Sequence, residues 1–113
     1  MVSGPYTSGA STTADRAENL RLLNTAALEL FRRGYLPVIG VNMALPMIWS
    51  ASGAQAENAF ESIMMPVSLA LVDRCDGCLR VGGPSKGADN EVAAFRAKGK
   101  PVYSDLEELP PCG

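Results

Sequence analysis

The segment DGCLRVGGPSKGADNE, residues 76–91, decides how the rest of the chain is arranged. Its first half predicts a short buried strand over residues 77–81, and a glycine turn then leads through a polar corner into a helix that carries Glu91. The first N–H groups of a helix have no partner inside the helix and carry the positive end of its dipole. Glycines also let a ligand come close to the backbone. This strand-to-helix elbow is therefore typical of a site for phosphate or another oxyanion.

Two carboxylates flank the elbow. Asp76 stands where the predicted strand begins, and Glu91 lies inside the predicted helix. A pair of carboxylates is the minimum equipment for acid–base or nucleophilic chemistry on a sugar. Each also has an ordinary interpretation, because the dipole favours a carboxylate early in a helix and aspartate is a common turn residue before a strand.

Length and composition narrow the class of protein. The chain has 113 residues, 47% of them hydrophobic and 19% charged, which predicts one ordered domain covering residues 1–113. A net charge of −2 with scattered Lys and Arg argues against binding of polymeric nucleic acid. No apolar run approaches the length of a membrane span and no secretory signal pattern is visible, so we expect no membrane association and a cytoplasmic location.

The cysteines offer a second motif, Cys75-Asp-Gly-Cys78, with the spacing of a redox or zinc pair. The chain has three cysteines and no histidine, which leaves a tetrahedral zinc site one ligand short. We therefore expect no metal, and we expect the thiols to pack as small hydrophobic groups. Reduced thiols also fit a cytosolic protein.

Strand-like and helical segments alternate along the chain. Apolar periodicity predicts helices over residues 15–34, over residues 55–74 with an interruption at Pro66, and from the elbow to residue 99. Apolar runs predict strands at residues 1–4, 36–43 and 101–103, and prolines near the start of the last two favour edge positions. Residues 44–54 predict a ligand loop or a short irregular helix, in which Trp49 either stacks on a ligand or covers the core.

This alternation predicts an α/β fold of the flavodoxin/Rossmann-like type. We expect a three-layer sandwich with a four- or five-stranded parallel sheet in the order 2-1-3-4 and helices on both faces. In such a sheet a ligand binds where the strand order reverses, so residues 4–6 and 82–85 should face each other. The polar loop at residues 7–13 is either a connector or a set of donors above the ligand. Arg80 should be paired or stand at the end of the sheet.

Five short motifs are spread over nearly the whole chain: Ser3-Gly-Pro-Tyr-Thr7, Arg16-Ala-Glu-Asn19, Cys75-Asp-Gly-Cys-Leu79, Ser85-Lys-Gly-Ala-Asp-Asn-Glu91 and Gly99-Lys-Pro-Val-Tyr103. Together they resemble the nucleoside 2-deoxyribosyltransferase-like superfamily. Within it, the chain is most similar to a branch of small bacterial and phage proteins of unassigned function.

The resemblance implies roles for particular residues. Glu91 falls where the family has the nucleophile that attacks C1′ of the sugar, and Asp76 falls where an aspartate assists as a hydrogen-bonding or acid–base group. Tyr6 falls where a residue often lines the sugar pocket. Ser85 matches the nucleotide hydrolases, which place a serine beside the 5′-phosphate, whereas transferases of free nucleosides place an aspartate there. An aspartate would also repel phosphate.

The catalytic candidates are therefore Glu91, Asp76 and Tyr6. The candidates for binding substrate or its phosphate are Ser3, Gly4, Pro5, Arg16, Gly83, Ser85, Gly87 and Ala88. The implied activity is cleavage or transfer at the N-glycosidic bond of a nucleoside or a (deoxy)nucleoside 5′-monophosphate, through a covalent glycosyl-glutamate and without a cofactor.

Two other functions compete with this one. The first is a non-catalytic nucleotide-binding or sensor protein that uses the same pocket. The second is a flavodoxin-like binding domain, which lacks support because no aromatic flavin platform is visible. For both the enzyme and the sensor, we expect a homodimer or larger homo-oligomer that closes the ligand site, with contacts through residues 55–74.

Overall fold

The computed structural model of the chain describes residues 1–52, 56 and 58–111. It contains three short strands, β1 (Val2–Ser3), β2 (Cys78–Arg80) and β3 (Val102–Tyr103). The helices are α1 (Thr13–Arg32), α2 (Gly40–Ser50), α3 (Ala59–Val72) and α4 (Lys86–Ala97), and a 3-10 turn follows at Leu106–Glu108.

The strands form one parallel sheet in the order β1-β2-β3. Val2 lies opposite Leu79, and Cys78 lies opposite Val102. Successive side chains of a strand point to opposite faces, and the two faces meet different helices. Val2 and Leu79 pack with Leu23 and Leu30 of α1. On the other face lies a second core cluster, which consists of Met1, Val72, Cys78, Val92 and Phe95.

The predicted fold class is wrong. The chain is mostly helical with a three-stranded sheet, and the described residues contain no four- or five-stranded flavodoxin/Rossmann-like sandwich in the order 2-1-3-4. The missing strand is residues 36–43. Val38 accepts one backbone hydrogen bond from Val2 at 2.8 Å, but Pro37 has no N–H to donate and α2 already begins at Gly40.

Helix α1 begins and ends as its sequence predicts. The Thr12 side chain caps the start by accepting a hydrogen bond from the Asp15 N–H at 3.0 Å. Gly34 follows the end with a φ of +96°, a conformation that favours glycine. Asn19 donates to the carbonyl of Tyr6 at 2.8 Å, which attaches the loop after β1 to this helix.

Helices α2 and α3 form the apolar part of the molecule. Residues 40–50 contain no charged side chain, and residues 59–72 contain one, Glu61. Each helix continues through an internal proline, Pro46 in α2 and Pro66 in α3, so the predicted interruption at Pro66 does not divide α3. Trp49 is 73% exposed and therefore does not cover the core.

Three predicted features extend past what the structure describes. Residues 53 and 54 at the end of the predicted segment 44–54, the start of the predicted helix at residue 55, and the third cysteine, Cys112, lie outside the described residues. Among the residues that are described, no helix combines the length and the apolar character needed to cross a membrane.

Candidate functional site

A cavity of about 270 Å³ opens beside the ends of β1 and β2, between the loop after β1 and the start of α4. Its polar lining consists of Tyr6, Thr7, Ser8, Ser68, Ser85, Lys86, Asn90 and Glu91. Its apolar lining includes Leu23, Ile39, Phe60, Met64 and Met65. The cavity is near the lower size limit of small-molecule sites, so it suits a ligand with the dimensions of a pentose phosphate or a mononucleotide.

Glu91 is the acidic group of this cavity. It lies in the second turn of α4 and is only 8% exposed. Ser3 on β1 donates its hydroxyl to Glu91 Oε1 at 2.7 Å, and Ser68 on α3 lines the same cavity. Burial raises the pKa of Glu91 above its ordinary value, while the two hydroxyls and the positive charges of the Met1 amino group and Arg80 act in the opposite direction.

The first turn of α4 forms the second polar wall. Ser85 caps the helix, and its Oγ accepts a hydrogen bond from the Ala88 N–H at 3.2 Å. The cap leaves the N–H groups of Lys86 and Gly87 without partners among the described residues, and both residues line the cavity. The hydroxyl proton of Ser85 also remains available to a ligand, since the cap uses only the oxygen.

Helix α2 also begins next to the carboxylate of Glu91. Helix α2 has no side-chain cap and no acidic residue in its first turn. Its first residue, Gly40, lies so close that an added Cβ would overlap Ser68 Oγ and would be 3.4 Å from Glu91 Oε2. The carboxylate of Glu91 therefore compensates the positive end of α2 from another part of the chain. The first turn of α4 is left free to meet an external anion.

The buried polar side chains of the molecule are concentrated here. Among the described residues, the buried polar or charged ones are Ser3, Ser68, Ser85 and Glu91. Three of them line the cavity, and Ser3 bonds the Glu91 carboxylate beneath it. A polar group in a protein interior is costly unless it is hydrogen-bonded, so such a concentration is typical of a functional site.

The structure brings most of the predicted site residues together. The predicted residues that line the cavity are Gly4, Tyr6, Ser85, Gly87, Ala88 and Glu91. The other five lie outside its lining, and two of them are Ser3, which bonds Glu91, and Asp76. Pro5 packs against Gly82, the Gly83 carbonyl accepts from Arg80 at 2.7 Å, and half-buried Arg16 donates to Thr13 Oγ1 at 3.1 Å.

Asp76 lies at the other end of the sheet. It precedes β2, and it lines a separate apolar cavity of about 640 Å³ together with Tyr35, Arg74, Cys75 and Tyr103. Glu91 instead lies beside the residues that follow β2. The length of the strand separates the two carboxylates, so the structure does not bring the predicted pair together.

Arg80 stands at the end of β2 and holds the elbow in place. Its guanidinium donates to the carbonyls of Val81 and Gly83, the second at 2.7 Å. It also lies 3.8 Å from the Asp89 carboxylate on α4. The partner that the sequence analysis required is therefore supplied by the same chain, and it ties the turn to the first part of α4.

Sequence reasoning missed several residues of the lining. Ser68 was hidden in an apolar helix, although it follows buried Met64 by four residues and precedes buried Val72 by four, so it interrupts a buried stripe. That interruption is the signal that identifies it. Lys86 is exposed and lines the cavity, and Thr7 and Ser8 of the polar loop at residues 7–13 line it as well.

Cys75 and Cys78 lie away from this cavity. Cys75 is half-buried, and burial raises the pKa of the Cys78 thiol to about 11, which makes Cys78 a poor nucleophile. The described residues contain no group of three or more Cys, Asp or Glu side chains placed to hold a metal ion.

No protein-family model, curated protein or solved structure matches this chain.

Proposed function

We propose that this protein cleaves or transfers the N-glycosidic bond of a (deoxy)nucleoside 5′-monophosphate or nucleoside, with Glu91 as the nucleophile. One observation carries the proposal: a buried carboxylate and the open first turn of α4 line one cavity of about 270 Å³. Glu91 follows Lys86 by five residues, so an anion on the first turn and a sugar carbon near the carboxylate lie roughly 7 Å apart along the helix. That spacing suits a 5′-phosphate and C1′ of one pentose.

The first turn of α4 supplies what a phosphate needs. The N–H groups of Lys86 and Gly87, the hydroxyl proton of Ser85 and the Lys86 ammonium are all donors in the same wall. Helix α4 has 12 residues, so its dipole is well developed at this end. We expect the 5′-phosphate to contribute most of the binding energy and to orient the sugar toward Glu91.

The chemistry then follows the retaining route. A Glu91 carboxylate oxygen attacks C1′, the C1′–N bond breaks, and its electron pair leaves with the base. Water or a second base then attacks C1′ of the glycosyl-glutamate ester, which restores the carboxylate and the original configuration. Ser3 holds the carboxylate through its hydrogen bond while the ester forms and breaks.

The departing base also needs a proton. Asp76 lines the separate cavity, so it is not available for this step. Tyr6 lines the cavity of Glu91, and its phenol hydroxyl can act as a general acid. We propose that it protonates the base directly or through water.

The test is the release of free base from a panel of nucleosides and nucleoside 5′-monophosphates, with and without an acceptor base. We expect release from the phosphorylated substrates that disappears in Glu91→Gln. Glu61→Gln is the matched control because it changes an exposed glutamate of α3 in the same way. Release that survives in Glu91→Gln would contradict the proposal.

A sensor that binds a nucleotide without cleaving it is the second candidate. One observation favours it. Glu91 is the only acidic residue among the described residues that line the cavity, so this lining has no second carboxyl group to protonate the leaving base. In this case the nucleotide binds and persists intact, and Glu91→Gln leaves the affinity unchanged. Intact ligand recovered after long incubation with wild-type protein would favour this function over the first.

We further propose a cytoplasmic homo-oligomer in which the α2–α3 surface is covered by a second copy. Large apolar side chains are exposed there, namely Met43, Met47, Trp49, Phe60 and Leu69. A helix that is apolar on every side is normally buried, and exposed apolar patches commonly mark interfaces. Phe60 also lines the cavity, so the second copy would close its mouth. A monomeric mass from light scattering would contradict this.

A further inference from the structure

The second cavity, of about 640 Å³, opens at the edge of the sheet where β2 begins, opposite the edge that carries Glu91. Its volume is within the range of small-molecule sites. Two half-buried tyrosines, Tyr35 and Tyr103, add aromatic surface to it. Its apolar walls come from several parts of the chain and include Leu30, Leu36, Val38, Leu71, Leu79 and Leu109. These walls suit a ligand with an apolar or aromatic body.

Two residues of opposite charge, Arg74 and Asp76, also line this cavity, and both are exposed. Among the described residues, neither side chain forms a hydrogen bond or an ion pair, so the two are not paired with each other either. A guanidinium is a planar fork of N–H donors, and a carboxylate only accepts. The cavity therefore carries one cationic and one anionic group that are both available to a ligand.

Neighbouring charges at this edge already have partners within the chain. Asp73 forms an ion pair with Lys98 at 2.5 Å, and Lys100 donates to the carbonyl at the end of α3 at 2.7 Å. The Met1 amino group, which also lies at the cavity, donates to the Gly77 carbonyl at 2.8 Å. The last carbonyls of α1 accept N–H groups from the turn that follows the helix. The polarity of the cavity is therefore set by the unpaired guanidinium and the unpaired carboxylate.

We propose that this cavity binds a small zwitterion with an apolar body, of the class of the aromatic α-amino acids. Arg74 pairs with the carboxylate of the ligand, Asp76 pairs with its ammonium group, and the apolar walls receive its side chain. A ligand with only an acidic group would be repelled by Asp76, and a ligand with only an amino group would be repelled by Arg74. This second site is separate from the cavity of Glu91 and does not depend on the proposed function.

The test is isothermal titration of the full chain with L-tryptophan, tryptamine and indole-3-propionate. The three compounds share the indole ring, but tryptamine lacks the carboxylate and indole-3-propionate lacks the ammonium group. We expect L-tryptophan to bind roughly fivefold more tightly than either of the others, which is the upper range for one solvent-exposed ion pair. Equal affinities for the three compounds, or no binding of L-tryptophan at millimolar concentration, would overturn the inference.

Two substitutions locate the ligand. Arg74→Met should remove the preference for L-tryptophan over tryptamine, and Asp76→Asn should remove the preference over indole-3-propionate. Arg96→Met and Asp73→Asn are the matched controls, because they remove the same charges from exposed residues outside the lining of this cavity. Glu91→Gln should also leave L-tryptophan binding unchanged. Binding that is lost in Glu91→Gln, or that keeps its preferences in both Arg74→Met and Asp76→Asn, would place the ligand elsewhere and overturn the inference.

Discussion

Replacing Ser85 by alanine tests both stability and ligand binding, because Ser85 caps α4 in the structure and is proposed to bind the 5′-phosphate. As the cap of α4, its Oγ accepts from the Ala88 N–H at 3.2 Å in a buried position. Losing a helix cap costs about 1 kcal/mol, and a buried N–H left without a partner moves the cost toward about 2 kcal/mol. As a proposed donor to the 5′-phosphate, its hydroxyl should contribute about 1.5–3 kcal/mol to binding, or roughly 10- to 150-fold in Kd.

Thr12→Ala is the control for the first role. Thr12 caps α1 in the same way, accepting from the Asp15 N–H at 3.0 Å, but it does not line the cavity. Urea denaturation should show both variants destabilised by about 1–2 kcal/mol. Isothermal titration should show weaker binding of a nucleoside 5′-monophosphate to Ser85→Ala alone, and no such difference for the unphosphorylated nucleoside. Equal losses for both ligands, or for both variants, would refute the role of Ser85 in holding phosphate.

Three further changes test other parts of the structure. Burial raises the pKa of Glu91 above 4.5, so the folded chain holds this proton more tightly and loses stability as pH rises from 4.5 through the folded pKa. Glutamine does not titrate, so the free energy of unfolding of Glu91→Gln minus that of wild type, measured in urea, should be larger at about pH 8 than at about pH 4. Gly40→Ala should lower the free energy of unfolding by about 1–3 kcal/mol, because its Cβ would overlap Ser68 Oγ. Gly87→Ala is the control and should have no such effect, because its Cβ would lie 3.5 Å from Met65 Cε. Equal effects of the two substitutions would contradict the packing described. Phe95→Ala should cost about 3–5 kcal/mol in thermal or urea unfolding because Phe95 is fully buried, while Phe31→Ala, at 65% exposure, should cost less than about 1 kcal/mol.

The elbow was predictable because its signals are local. A strand, a turn with Gly82 at a φ of +79°, a serine cap and an amphipathic helix each leave a mark within a few residues, and the structure has β2 and α4 in those places. The same holds for α1, where a polar cap, an apolar stripe and a final glycine agree. Its bounds, Thr13–Arg32, differ from the prediction by about two residues.

Residues 36–43 were misassigned because the pattern there is ambiguous. A continuous apolar run does not distinguish a buried strand from a buried helix by periodicity. The outcome depends on tertiary contacts: Val38 accepts a single backbone bond from Val2, and Gly40 starts α2 where it meets Ser68 and Glu91. Neither partner is near in sequence, so the short-range pattern could not reveal them.

Strand geometry alone predicts that Asp76 lies far from Glu91, but the motif resemblance led us to place the two carboxylates in one site. Residues that precede and follow a strand lie at opposite ends of it, and four residues of extended chain span roughly 13 Å. Asp76 and the start of α4 could therefore not share one cavity once β2 ended at Arg80. Ser68 was harder to foresee, because the break in the apolar stripe of α3 does not show which part of the chain that stripe faces.

The placement of Trp49 gives the molecule an internal optical probe. It is the only tryptophan in the chain, it is 73% exposed, and it lies near the end of the helix whose first residue is next to Glu91. Its emission should resemble that of an indole in water. A shift of that emission to shorter wavelength would mean that the ring has been covered. Because covering by a second copy depends on protein concentration and a ligand effect depends on ligand concentration, one fluorometer can distinguish assembly from binding without a label.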